Sequence, residues 1–102
     1  MKIGDKNVDF DKDGFMMDPG LWDDIVAKAI ASEEGIDPMT DQHWALVNFI
    51  REYWKEHDLA PAVRLLCQQT GLSIRQIYKL FTSGPARGAC RVAGLPKPDG
   101  CV

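Results

Sequence analysis

The stretch that most limits what this chain can fold into is residues 40–57. Thr40 is a helix-capping residue, and Trp44, Leu46, Val47, Phe49, Ile50, Tyr53 and Trp54 follow at helical spacing. A stripe that wide and that aromatic must be covered on several sides, so the spacing predicts a central helix over 41–57 with other helices packed around it. The whole chain, 102 residues long, suits one domain with one small core.

The flanking segments supply the cover. Residues 1–17 read as short strands. Gly4-Asp5-Lys6-Asn7 and Asp11-Lys12-Asp13-Gly14 are turns, and Val8-Asp9-Phe10 and Phe15-Met16-Met17 lie beside them. Asp9-x-Asp11-x-Asp13-Gly14 imitates the first half of a calcium loop. Its twelfth position is Gly20, where a bidentate Glu belongs, and a plain hairpin accounts for it better. Asp18-Pro19 predicts the start of a first helix that buries Leu21, Trp22, Ile25, Val26, Ala29 and Ile30, pairs Asp24 with Lys28, and stops at Gly35. Leu59-Ala60-Pro61 predicts a third helix ending at Thr70-Gly71, with Cys67 beside Val63 and Leu66 on its apolar face. Ser73-x-x-Gln76 is a capping box that opens a fourth, with Ile74, Ile77, Tyr78 and Phe81 as its stripe. Gly84-Pro85 starts a short fifth, and Gly94 ends it. The fold class expected is therefore α+β and mainly helical. A hairpin or small meander (1–17) packs on a bundle of about five helices (18–93), and a mobile arm (94–102) leaves it.

Charge and thiols narrow the function classes. The net charge of −3 hides an asymmetry: residues 1–58 carry −8 and residues 59–102 carry +5. The simplest reading is attraction between halves of one fold, and a sharper one is that the basic half meets an anionic group or acidic partner. The third and fourth helices, with Arg75 and Lys79, have the layout of a helix-turn-helix, but an acidic chain lacks the broad basic face of a DNA binder. His43 stands in the first turn of the central helix with no visible catalytic partner. No apolar run spans a membrane and no signal peptide is visible, which predicts a cytoplasmic protein whose thiols stay reduced. Cys67, Cys90 and Cys101 form no C-x-x-C pair, and with His43 and His57 they give no metal spacing. Neither metal nor cofactor is expected, and no independent active site: there is no nucleotide loop and no triad.

The tail carries the chemistry. Cys90 falls near the end of the fifth helix, with Arg87 one turn before it and Arg91 beside it. Cys101 stands one residue from the last position. The segment between them is rich in Gly and Pro and poor in apolar side chains, which predicts mobility. Seven residue steps separate Gly94 from Cys101, a reach of roughly 22 Å in extended form. Folding back costs about 3 kcal/mol of loop closure. The spacing therefore suits Cys101 as a sulfur acceptor at a swinging tip and Cys90 as the thiol it returns to. Arg87, Arg91 and Lys97 are candidates for steering an anionic sulfur species.

At these residues the chain resembles the DsrC family, the gamma subunit of dissimilatory sulfite reductase, with its relative TusE of tRNA thiolation. Gly84-Pro85-Ala86 and Ala89-Cys90-Arg91-Val92-Ala93-Gly94-Leu95-Pro96-Lys97-Pro98-x-Gly100-Cys101-Val102 carry most of the likeness. His43-Trp44, Arg51-Glu52-Tyr53-Trp54, Pro61-Ala62-Val63-Arg64 and Leu80-Phe81 extend it over nearly the whole chain. The resemblance implies a carrier and co-substrate rather than an enzyme. The arm enters the catalytic subunits of dissimilatory sulfite reductase and Cys101 takes the sulfur of a partly reduced sulfite. Cys90 then closes a trisulfide, and a membrane-bound electron-transfer complex reduces it. Siroheme and iron–sulfur clusters would belong to the partner. TusE-like members pass sulfur between sulfurtransferases with the terminal cysteine and typically lack the second, so Cys90 favours the DsrC side. The chain departs from the family at the short span 68–73, at Asp99, and at Cys67, which lies outside the motif.

Overall fold

The structure is a computed structural model, and it describes residues 2–84 and 88–96. The chain begins with two short antiparallel strands, β1 (Lys2–Ile3) and β2 (Lys6–Asn7), in which Ile3 faces Lys6. The tight turn is Gly4-Asp5, with Gly4 at φ 59°, so Lys6 and Asn7 belong to a strand and not to the turn. A second turn follows as expected. Phe10 bridges Met16, and the Asp11 carboxylate accepts from the backbone N–H groups of Asp13 and Phe15. The acidic triplet thus supplies an Asx turn.

Among the described residues, five α-helices follow: α1 (Asp24–Glu33), α2 (Asp41–His57), α3 (Val63–Thr70), α4 (Ile74–Leu80) and α5 (Cys90–Val92). The central helix has the predicted bounds. Thr40 caps it, and His43 completes a capping box by accepting from the Thr40 N–H at Nδ1. That bond leaves Nε2 as the donor to the Leu80 carbonyl 2.9 Å away. His43 is therefore a buried tie between α2 and the end of α4, edge-on to Phe81.

Three expectations need correction. Asp18-Pro19 opens only a 3-10 turn (Pro19–Leu21), and α1 begins five residues later behind a second cap, Asp23, whose carboxylate accepts from Val26 N–H. Trp22 is extended (ψ 136°) between the two, which frees its ring to turn toward α5. The buried stripe of α1 is accordingly Val26, Ala27, Ile30 and Ala31, while Ile25 is 60% exposed. Pro61 precedes α3 instead of opening it, because Ala62 is the extended cap. On α4 only Ile77 of the helix proper is buried. Ile74 and Tyr78 stand at 51% and 49% exposure, because α4 touches the body along one narrow line. Further, no ion pair joins Asp24 to Lys28 among the described residues. Lys6 instead reaches Asp23 at 2.7 Å.

The core draws on every segment. Val8, Phe15 and Met16 come from the hairpin region, Leu46, Val47 and Ile50 from α2, and Leu66 from α3. Ile77 and Phe81 come from α4 and its end, and Ala89, Cys90, Val92, Ala93 and Leu95 from around α5. α5 lies against both α1 and α2. No described helix is long and apolar enough to cross a membrane.

Candidate functional site

The site is built around α5 and what holds it. Gly88 and Ala89 form a wider π-type turn that leads into Cys90–Val92. The helix ends in a Schellman motif: Gly94 N–H donates to the Arg91 carbonyl (3.0 Å) and Leu95 N–H to the Cys90 carbonyl (3.2 Å). Gly94 takes φ 73°, and a Cβ there would sit 2.2 Å from the Trp22 ring, so glycine is required twice over. Cys90 is 4% exposed, and Leu95, one residue past the helix stop, is 1% exposed. The chain thus remains part of the body through Leu95.

A helix this short cannot satisfy its own last carbonyls, and side chains from elsewhere do it. Trp22 Nε1–H donates to the Val92 carbonyl at 2.8 Å. Arg51 donates to the Ala93 carbonyl at 2.9 Å and to the Pro19 carbonyl at 2.7 Å. Its guanidinium lies 4.4 Å from the Trp22 ring centre and 5.7 Å from that of Trp54. Stacking between rings offsets part of the cost of burying a cation. Burial still pushes the Arg51 pKa down from its ordinary value, and the neighbouring Glu52 charge opposes this. No carboxylate among the described residues pairs with Arg51 at salt-bridge distance.

Arg91, expected to steer an anion, has its guanidinium engaged inside the fold. Nε donates to the Gly14 carbonyl at 2.8 Å, one Nη contacts Glu34 closely and the other reaches Glu33 at 3.4 Å. Glu34 also accepts from Ser83 Oγ at 2.7 Å. With its side chain 16% exposed and two carboxylates beside it, Arg91 presents little unpaired charge to an incoming anion. It braces α5 against α1 and the hairpin. Cys67 is half-buried against the core on α3. Cys101, Arg87 and Lys97 lie outside the described residues.

Two residues at this site were not singled out for it by the sequence, Trp22 and Arg51. The signal for Arg51 was present: it shares a helical face with Val47, Ile50 and Trp54, so a cation stands inside an apolar stripe. Trp22 gave no such signal, since its role depends on the break before α1.

The description "DsrC like protein" matches residues 2–102. The chain belongs to the DsrC-like family. It is 39% identical over 97 residues to a protein of Nitratidesulfovibrio vulgaris named sulfite reductase, dissimilatory-type subunit gamma, covering 95% of this chain and 92% of that one. It is also 39% identical over 100 residues to the sulfurtransferase TusE of Pectobacterium atrosepticum, with 90% of each chain covered. Among solved structures, the oxidized gamma subunit (DsrC) from Archaeoglobus fulgidus superposes with a TM-score of 0.88 at 39% identity, over 100% of this chain and 98% of that one. A chain in the crystal structure of dissimilatory sulfite reductase I gives a TM-score of 0.93 at 38% identity, with the same coverage. The small antiparallel sheet with its five helices is thus the DsrC fold.

Proposed function

We propose that this chain is a sulfur carrier, with Cys101 as the acceptor and Cys90 as the resolving thiol, and that it serves as a co-substrate of dissimilatory sulfite reductase. The observation that carries the reading is the placement of Cys90. It is held in the body at the root of the terminal segment, and its carbonyl is bonded to the N–H of Leu95, six residues before Cys101. A fixed thiol beside the start of a segment whose composition predicts mobility would be an intramolecular partner at high effective concentration.

The chemistry follows from counting bonds. A partly reduced sulfite bound to Cys101 as a thiosulfenic group, R–S–S–OH, is attacked by the Cys90 thiol. One S–S bond forms, the S–OH bond breaks, and water leaves with the thiol proton. The product is a trisulfide. Its reduction to two thiols and hydrogen sulfide breaks two S–S bonds and takes four electrons and four protons from an external donor, for which a membrane-bound electron-transfer complex is the proposed partner. The chain contributes reach and two thiols, while the metal chemistry of sulfite reduction belongs to the reductase.

A second reading is a TusE-like relay that passes a persulfide on Cys101 to another sulfurtransferase, and the similarity to TusE sequences supports it. The two separate on Cys90. Incubation with dissimilatory sulfite reductase, sulfite and an electron donor, followed by intact mass measurement, should give a species heavier by one sulfur and lighter by two hydrogens. Cys90→Ala and Cys101→Ala should each abolish it. A persulfide that survives Cys90→Ala with undiminished onward transfer would establish the one-thiol relay instead.

A further inference from the structure

Trp22 and Arg51 are far from α5 in sequence, by 70 and 42 residues in their bonded pairs, yet both spend their polar hydrogens on it. They take adjacent carbonyls, Val92 and Ala93, at the last turn before Gly94. Trp22 also fills the space against Gly94 that a side chain would occupy. Arg51 holds this position as a buried cation (8% exposed), fixed on its other side to the Pro19 carbonyl. General core packing at such a spot needs only an apolar side chain. A buried guanidinium and an indole N–H aimed at two successive carbonyls is a device for fixing a chain's direction.

We propose that Trp22 and Arg51 are positioning residues for the carrier arm. They pin the carbonyls of Val92 and Ala93, keep the Gly94–Leu95 cap closed on Cys90, and so set the point and direction from which the arm departs. The inference rests on the two-thiol reading above and adds to it the part that makes closure efficient. With the cap closed, the ring from Cys90 to Cys101 must be arranged over six residue steps, from Leu95. With the cap frayed, all eleven steps from Cys90 are free. Effective concentration falls roughly as the −3/2 power of the free length, so fraying should lower it by about 2.5-fold.

The test uses the full chain in a Cys67→Ala background, so that the only thiol pair is Cys90 with Cys101. Trp22→Phe keeps the aromatic packing and loses one hydrogen bond, and Arg51→Lys keeps the charge and loses the two-carbonyl fork. Two quantities are read. The first is the equilibrium with glutathione, in which one oxidized glutathione and two protein thiols give the intramolecular disulfide and two glutathione thiols. The second is amide exchange at Gly94 and Leu95 relative to Val47 and Ile50 in α2. Both variants should lower the effective concentration measurably, up to the limit of about 2.5-fold for a fully frayed cap. They should speed exchange at Gly94 and Leu95 by about fivefold, the change expected for one lost hydrogen bond, with α2 still protected. Three results overturn the proposal: unchanged exchange at the cap, a loosened cap with an unchanged thiol equilibrium, or equal loosening of cap and α2 in both variants. Should the parent chain form no Cys90–Cys101 disulfide at any glutathione ratio, the two-thiol reading itself falls. That outcome is distinct from the clamp's own failure, in which the parent forms the bond and the variants match it.

Discussion

Single side chains at this protein's junctions do two jobs at once, and Asp23 is the simplest case. Its carboxylate caps α1 and receives the Lys6 ammonium, which also donates to the Leu21 carbonyl at 3.0 Å. The hydrogen bond from Lys6 is the largest cause holding the Asp23 carboxyl below its usual value, followed by the Val26 N–H. A carboxyl with a depressed folded pKa contributes stability that is present above its unfolded pKa. That contribution is lost as pH falls through the folded one. Urea midpoints of the parent should therefore drop between pH 5 and the region below pH 3.8. Asp23→Asn should start lower at pH 5 and drop less, and an identical pH response in the two would remove Asp23 from the acid limb. At the same scale, Gly94 explains itself by both its φ of 73° and the Trp22 ring against it.

Helix α4 shows how far an apolar stripe can mislead. Its capping box, Ser73 with Gln76, was legible because the chemistry is local: each side chain bonds the other's backbone N–H. Which apolar residues would be covered was not, because that depends on where the helix docks. Ile77 is fully buried and Ile74, one turn away, is half exposed. Ile77→Ala should accordingly cost about 2–5 kcal/mol through lost burial and a cavity, and Ile74→Ala no more than about 0.5 kcal/mol. Chemical denaturation of the two variants checks this directly. Equal losses would mean that Ile74 is covered in solution. Helix α1 teaches the converse lesson. Two capping signals five residues apart, Asp18 and Asp23, each form, and the first gives only a 3-10 turn because Trp22 is drawn off toward α5.

At the scale of the whole molecule, one side chain ties the oppositely charged halves together. Arg91 of the basic half meets Glu33 and Glu34 of the acidic half, 58 and 57 residues away, and also reaches Gly14 in the hairpin. One guanidinium thus joins the N-terminal turn, the end of α1 and α5. Since the Glu34 side chain is only 11% exposed, Arg91→Leu leaves a largely buried carboxylate without its charged partner, with Ser83 Oγ still donating to it. That should cost about 3 kcal/mol. Adding Glu34→Leu should recover part of the loss, because the unpaired charge goes with it. A double-mutant cycle in urea that proves additive would deny the coupling.

The order of the helices, the bounds of α2, the turn at Asp11–Gly14 and the stops at Gly35, Gly71 and Gly94 were all set by the sequence itself. Capping, positive φ and helical periodicity act over a few residues, and a reader of the chain can follow them. The two thiols of the proposal are likewise visible only as positions along a chain, and of the two Cys90 alone lies among the described residues. Tertiary structure alone decided which faces are wet, that Trp22 leaves its helix to hold α5, and that Arg91 is bound up in the body. It also decided that Arg51 lies buried between rings. These outcomes depend on contacts between residues tens of positions apart, where the geometry of docking overrides local preference and where no pattern along the chain records which surfaces meet.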